Sequence, residues 1–146
     1  MSTPGCSRRG AGIAWQGGAV PVWSAPVRYQ ECDQQGIVFN AHYLTWCDEA
    51  VTAWMAAVGT PYDGLHARDL DTRVVASALD WMSSARWGDT VDLDVAVARL
   101  GRTSFAIGID VSVGERLCCR VVTTYVMTDL AGSSVPVPDD LRAAWS

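Results

Sequence analysis

The sequence predicts an α+β fold in which a curved, antiparallel five-stranded sheet wraps around one long central helix. A helical apolar period is confined to residues 41–58, strict two-residue alternation follows the polar stretch that ends near residue 71, and Gly-led turns separate the alternating runs. At 146 residues and 49% hydrophobic content, a single domain buries roughly 68–70% of its unfolded-chain surface, so no disulfide or metal staple is required.

Residues 1–19 are rich in Gly, Ser and Arg around a lone Trp15, a composition that predicts a flexible N-terminal extension ahead of one domain at 20–146. Ser7-Arg8-Arg9 resembles a twin-arginine start. However, Gly10-Ala11-Gly12 and Gln16-Gly17-Gly18 interrupt any apolar run, and export is not expected. Val20 to Glu31 carries Val20, Val22, Trp23, Val27 and Tyr29 and reads as a first strand, pushed toward an edge or a bend by Pro21 and Pro26.

Asn40 is a favoured N-cap and Gly59 a favoured residue just past a helix end, so a helix is expected over Ala41–Val58. Tyr43, Trp46 or Cys47, Ala50, Trp54 and Ala57 recur along it at spacings of three and four. Its polar positions are few, as expected of a helix enclosed by other elements. After a polar loop at Thr60–Asp71, Val91 to Val97 and Phe105 to Val113 alternate cleanly with small or polar residues and read as strands. Flanking runs at Thr72–Trp87 and Arg116–Thr128 complete a meander, with hairpin turns expected at Gly88-Asp89, Gly101-Arg102 and Gly114-Glu115. Pro138 and Asp139 open a short helix ending near Trp145. The open sheet leaves edges that invite pairing, so a homodimer is expected.

All eleven basic residues are Arg, and thirteen Asp with three Glu bring the net charge to −5. That balance disfavours a phosphate-backbone binder, and nucleic acid is not an expected partner. No run approaches the ~20 apolar residues of a membrane span, so no membrane partner is expected. Five cysteines contain no CxxC pair and are odd in number, which points away from a zinc site or a disulfide framework and toward a reducing, cytoplasmic compartment.

Chemistry concentrates between Tyr29 and Trp46, which joins the first strand to the helix. This segment offers the Asp33 carboxylate, a glycine at Gly36 able to take positive φ, and a helix start whose first N–H groups have no intrahelical acceptor. Such donors favour negative charge, so a carbonyl becoming an oxyanion could use them while Asp33 supplies a base or nucleophile. An Asp before Gly in a strand-to-helix turn is also an ordinary turn or capping residue.

The run from Tyr29 to Trp46, with its aromatic, Asp33, Gly36-Ile37-Val38-Phe39 and aromatic-bearing helix, resembles the opening motif of the hotdog-fold acyl-CoA thioesterases of the 4-hydroxybenzoyl-CoA thioesterase type. The similarity continues through Trp87-Gly88-Asp89-Thr90-Val91, Gly101-Arg102-Thr103-Ser104-Phe105 and Val135-Pro136-Val137-Pro138, covering residues 22–143. The resemblance implies a hotdog fold, dimers joined sheet edge to sheet edge, frequent tetramers, and active sites at the dimer interface. It implies hydrolysis of an acyl or aryl thioester of coenzyme A, or of an acyl carrier protein, with no metal or redox cofactor. It implies Asp33 as nucleophile or general base, and the Asn40 backbone N–H as the group polarising the carbonyl. Gly36 and Tyr43 are then expected to bind substrate, and Arg102 with Thr103 to lie near the coenzyme phosphates. Relatives carry His or an aromatic where this chain has Asn40, and Asn does not titrate near neutral pH. His42 is no substitute, because two helical residues turn its side chain by about 200°.

Glu49 lies about two and a half turns past Asn40 and is expected to be structural or interfacial. Cys32 and Cys47 lack a visible base or electropositive setting, and the adjacent Cys118 and Cys119 face opposite sides of a strand. Trp46, Trp54, Trp81 and Trp87 are expected in the core or a dimer contact, or, for one of them, on the wall of an acyl or aryl pocket. Two rivals remain: a non-catalytic acyl-thioester-binding module on the same fold, and a hydratase, which would need a His–acid pair that His42 and His66 do not supply.

Overall fold

The computed structural model describes residues 21–146. The predicted extension at 1–19, with Trp15 and the paired arginines, lies outside the described residues. The chain runs β1 (Trp23–Pro26), α1 (His42–Ala57), α2 (Tyr62–His66), β2 (Asp71–Trp81), β3 (Thr90–Leu100), β4 (Ser104–Val113), β5 (Arg116–Thr128) and α3 (Asp139–Ala144). The five strands form one antiparallel sheet in the order β1-β3-β4-β5-β2.

The alternating residues of the central strands face α1. Leu93, Ile107, Ile109, Val111 and Val121 are each 0% exposed and meet Tyr43, Trp46, Cys47, Ala50 and Met55 from the helix. Within one chain the helix is covered on this face alone, since Leu44, Thr45, Asp48, Glu49, Thr52 and Ala56 stay exposed. The helix expected to be enclosed by other elements is covered by the sheet, and in the single chain its opposite face is open. At its far end Trp145, following α3, packs on Trp54 and Phe105 and donates its indole N–H to Thr60 Oγ1 at 3.0 Å.

Several expected boundaries shift. The first strand ends at Pro26 rather than Glu31: Tyr29–Glu31 forms a 3-10 turn capped by the Glu31 carboxylate, which removes those residues from the ladder. Asn40 does not cap α1. Ala41 holds the cap position in a right-handed helical conformation with no side-chain cap, because Phe39 is already fixed by its amide to the Glu31 carbonyl. The other end matches expectation, with Gly59 in the left-handed region at φ +81°. The loop at 60–71 contains α2, and Arg68 of this segment makes a two-pronged bond to Asp140 at the start of α3.

The main departure is topological: β3, β4 and β5 form a meander, but β2 does not hairpin onto β3. The outer side of β3 is taken by β1, with Trp23 opposite Leu93 and Pro26 opposite Thr90. Strand β2 pairs instead with β5, and residues 82–89 cross the end of the sheet. The opposite side of β2 is unpaired among the described residues, and Val74 and Val75 there are 54% and 59% exposed.

Ile109 sits opposite Val95 and Val121 at the centre of the buried strip. Ile109→Ala is expected to lower unfolding free energy by about 2–5 kcal/mol, read as a reduced urea midpoint with an unchanged m-value.

Candidate active site

The segment that leads into α1 folds as a small hairpin. The Phe39 amide donates to the Glu31 carbonyl at 2.9 Å, Cys32 and Val38 form a bridge, and the Asp33 amide donates to the Ile37 carbonyl at 2.9 Å. Gly36 closes the tip at φ +75°, a conformation a β-carbon would strain. The returning leg is stitched to the crossing segment after β2 by an Ile37–Arg86 bridge and by the Val38 amide on the Ala85 carbonyl at 2.9 Å. Ala85 also donates to the Tyr43 hydroxyl at 3.2 Å, which ties the crossing to the first turn of α1.

This construction opens a cavity of about 530 Å³ lined by Tyr29, Cys32, Asp33, Gly36, Arg86 and Trp87, among others. Asp33 Oδ1 accepts the Gln35 amide at 2.7 Å, which orients the carboxylate; no partner of Oδ2 is found among the described residues. Tyr29 and Trp87 meet edge to face, centroids 5.8 Å apart, and both rings are largely exposed at 78% and 67%. Arg86, bridged to Ile37 through its backbone, lines the same wall.

Of the predicted site residues, Asp33 and Gly36 therefore share one cavity. Asn40 is exposed just before α1, and its amide donates to no group among the described residues. Such a donor at the positive end of a 16-residue helix can hold a negative oxygen. Tyr43 is 1% exposed with its hydroxyl engaged by Ala85, which gives it a core contact in the single chain. Arg102 and Thr103 occupy the β3–β4 turn, where their carbonyls accept Val137 and Met127 amides. The Arg142 guanidinium of α3 also reaches the Arg102 carbonyl at 3.5 Å, and neither residue is among those lining the Asp33 cavity of the single chain. His42 packs on the Phe39 ring. Glu49 lines a separate cavity of about 280 Å³ beside Arg28, Glu31 and Trp46. Burial, with smaller effects of Cys119 and Asp48, pushes the Cys47 thiol up to about 12, so it carries no thiolate at neutral pH.

Sequence reasoning missed Glu31, which is 2% exposed two residues before Asp33. Its Oε1 accepts the Arg28 amide at 2.8 Å and its Oε2 accepts the Trp46 indole N–H at 2.8 Å, with the Arg28 guanidinium 3.3 Å away. Burial works to raise its pKa, but the Arg28 amide, the Arg28 guanidinium and the Trp46 indole together outweigh it and hold the carboxyl below its ordinary range. No local signal marked it: Arg28 has no acceptor to complete a capping box with Glu31, and the Trp46 indole that meets the carboxylate comes from fifteen residues away. Arg86 carried none, and Trp87 stood out by residue type and motif without its place beside Asp33 being readable, because only the crossing of residues 82–89 brings them there.

Tyr43→Phe leaves the Ala85 amide without an acceptor in the core. An unfolding free energy lower by about 1–3 kcal/mol is expected, measured by denaturant titration.

Comparison with known proteins fits this architecture. The chain is 24% identical over 126 residues to the 1,4-dihydroxy-2-naphthoyl-CoA hydrolase of Nostoc punctiforme, covering 82% of each protein. It is 33% identical over 64 residues to YneP of Bacillus subtilis, named as an acyl-CoA thioesterase; the match covers 44% of this chain and spans 46% of that protein. The crystal structure of Slr0204, a 1,4-dihydroxy-2-naphthoyl-CoA thioesterase from Synechocystis, superposes with a TM-score of 0.74 at 21% identity, covering 84% of this chain and 92% of that one, and so shares the hotdog fold. Residues 27–145 match the model of the Thioesterase-like superfamily, and the chain belongs to that family.

Proposed function

We propose that the protein hydrolyses an acyl or aryl thioester of coenzyme A, in the manner of the 4-hydroxybenzoyl-CoA thioesterase branch. The observation that carries this reading is the Asp33 carboxylate on the wall of the 530 Å³ cavity, borne by a hairpin that runs directly into the start of α1. The thioester carbonyl oxygen accepts the Asn40 amide, and the helix dipole stabilises the oxyanion that forms. With Oδ1 held by Gln35, Oδ2 of Asp33 attacks the carbonyl carbon or takes a proton from the attacking water. If Oδ2 attacks, coenzyme A thiolate leaves an acyl–Asp33 anhydride that a water then hydrolyses, freeing the acid and the carboxylate; if Oδ2 takes the water's proton, hydroxide adds to the carbonyl carbon, the C–S bond breaks, and that proton passes to the leaving thiolate as the acid is released. An aryl acyl group suits the Tyr29 and Trp87 rings, and the named relatives act on a naphthoyl thioester or on acyl-CoA. Arg102 and Thr103 do not line that cavity, and in this reading they are kept for the coenzyme phosphates.

A second copy of the chain belongs to the reading, paired along the open side of β2, where an apolar pair at Val74 and Val75 would be covered. Light scattering is expected to give twice the chain mass, or four times it if the dimers pair; a strictly monomeric particle would sink this part.

Asp33→Asn is expected to fold normally and to lose turnover of benzoyl-CoA or a short acyl-CoA by at least ~100-fold, followed by thiol release. Wild-type kcat in that variant would refute the assignment. Saturable binding of these thioesters without thiol release by the wild type would mark a binding module instead.

A further inference from the structure

We infer that Glu31 is a positioning residue, a buried carboxylate that clamps the Asp33 hairpin to α1 and so sets the reach between Asp33 and the Asn40 amide. The inference rests on the proposed thioester hydrolysis for its kinetic readout, and on geometry for the rest.

Glu31 holds three pieces of chain at once. Its Oε1 takes the Arg28 amide, which fixes the turn entering the hairpin. Its backbone carbonyl takes the Phe39 amide at 2.9 Å, which fixes the returning leg one residue before Asn40. Its Oε2 takes the Trp46 indole N–H at 2.8 Å, and Trp46 is a buried residue of α1. Asp33 is two residues along one leg, and Asn40 joins the other leg to the helix. The side-chain bond to Trp46 is therefore the direct tie between the carboxylate-bearing leg and the helix whose dipole faces the reacting carbonyl. Other ties to the helix run through Ala85, which meets Tyr43 and Val38 but does not touch the Asp33 leg.

The chemistry of the clamp makes it testable by a near-isosteric change. Both Glu31 oxygens face donors, so both must be acceptors. A carboxamide has one acceptor oxygen and one NH2 group; in Glu31→Gln the NH2 must confront either the Arg28 amide or the Trp46 indole. Trp46→Phe removes the indole donor and keeps most of the ring packing. Misplacing a reacting group by about 1 Å can cost on the order of a hundredfold in rate.

The test compares wild type, Glu31→Gln, Trp46→Phe and the double variant of the full chain, using benzoyl-CoA and butyryl-CoA turnover and amide hydrogen exchange. A clamp predicts that kcat falls about 10- to 100-fold in each single variant with KM held within about twofold. The double variant should lose no more than Trp46→Phe, because once the indole N–H is gone the carboxamide NH2 can take the Oε2 place and leave its oxygen on the Arg28 amide. Exchange at residues 33–40 should quicken in the variants while β4 and β5 keep wild-type protection. Wild-type kcat in folded variants, multiplicative losses in the double variant, or unchanged exchange at 33–40 would each overturn the inference. Should Glu31→Gln not fold, Trp46→Phe alone decides by the same two readouts. If the wild type hydrolyses neither thioester, the proposed function fails while the exchange experiment still judges the clamp.

Discussion

Four residues of β1 occupy the outer side of β3, and that pairing governs the rest of the chain path. With β3 closed on both sides, β2 must find β5, and the chain between β2 and β3 must cross the end of the sheet. The crossing delivers Ala85, Arg86 and Trp87 to the start of α1, where Ala85 is grasped by Tyr43 and Val38. A wall of the Asp33 cavity thus follows from strand order, through backbone hydrogen bonds rather than from any motif in the crossing itself.

The site is consequently assembled from three pieces: the 3-10 turn, the hairpin that follows it directly, and the crossing about fifty residues later. Each piece is held by buried polar contacts, and each contact is satisfied in both directions. Glu31 and Tyr43 are the two side chains at which those contacts converge, one on each flank of the hairpin. Buried polar groups arranged in this way specify one geometry, because any alternative leaves a donor or a carboxylate unsolvated.

The period-two runs at 91–97 and 105–113 made β3 and β4 legible, and the Asn40-to-Gly59 span marked α1 to within two residues, because burial on one face imposes a local pattern. The partner of β2 was not legible. Its neighbour is settled by competition with β1, fifty residues earlier by about one helix and a loop, and no local pattern encodes that. Asp33 and Gly36 could be read as chemistry from their types and from a resemblance, and they do line one cavity. Glu31 passed unnoticed because a carboxylate is expected outside; its burial depends on Trp46 arriving from the helix.

The two sides of the sheet are unequal, and this limits how copies can join. Strand β1 is four residues long and ends in Pro26, which offers no amide for a further ladder. Strand β2 is eleven residues long, with a bulge between Val74 and Ala76. Among the described residues, then, a copy has one rim capable of extended strand addition and one blunted rim. Growth by head-to-tail stacking of sheets into a filament needs two such rims, and the described residues present one.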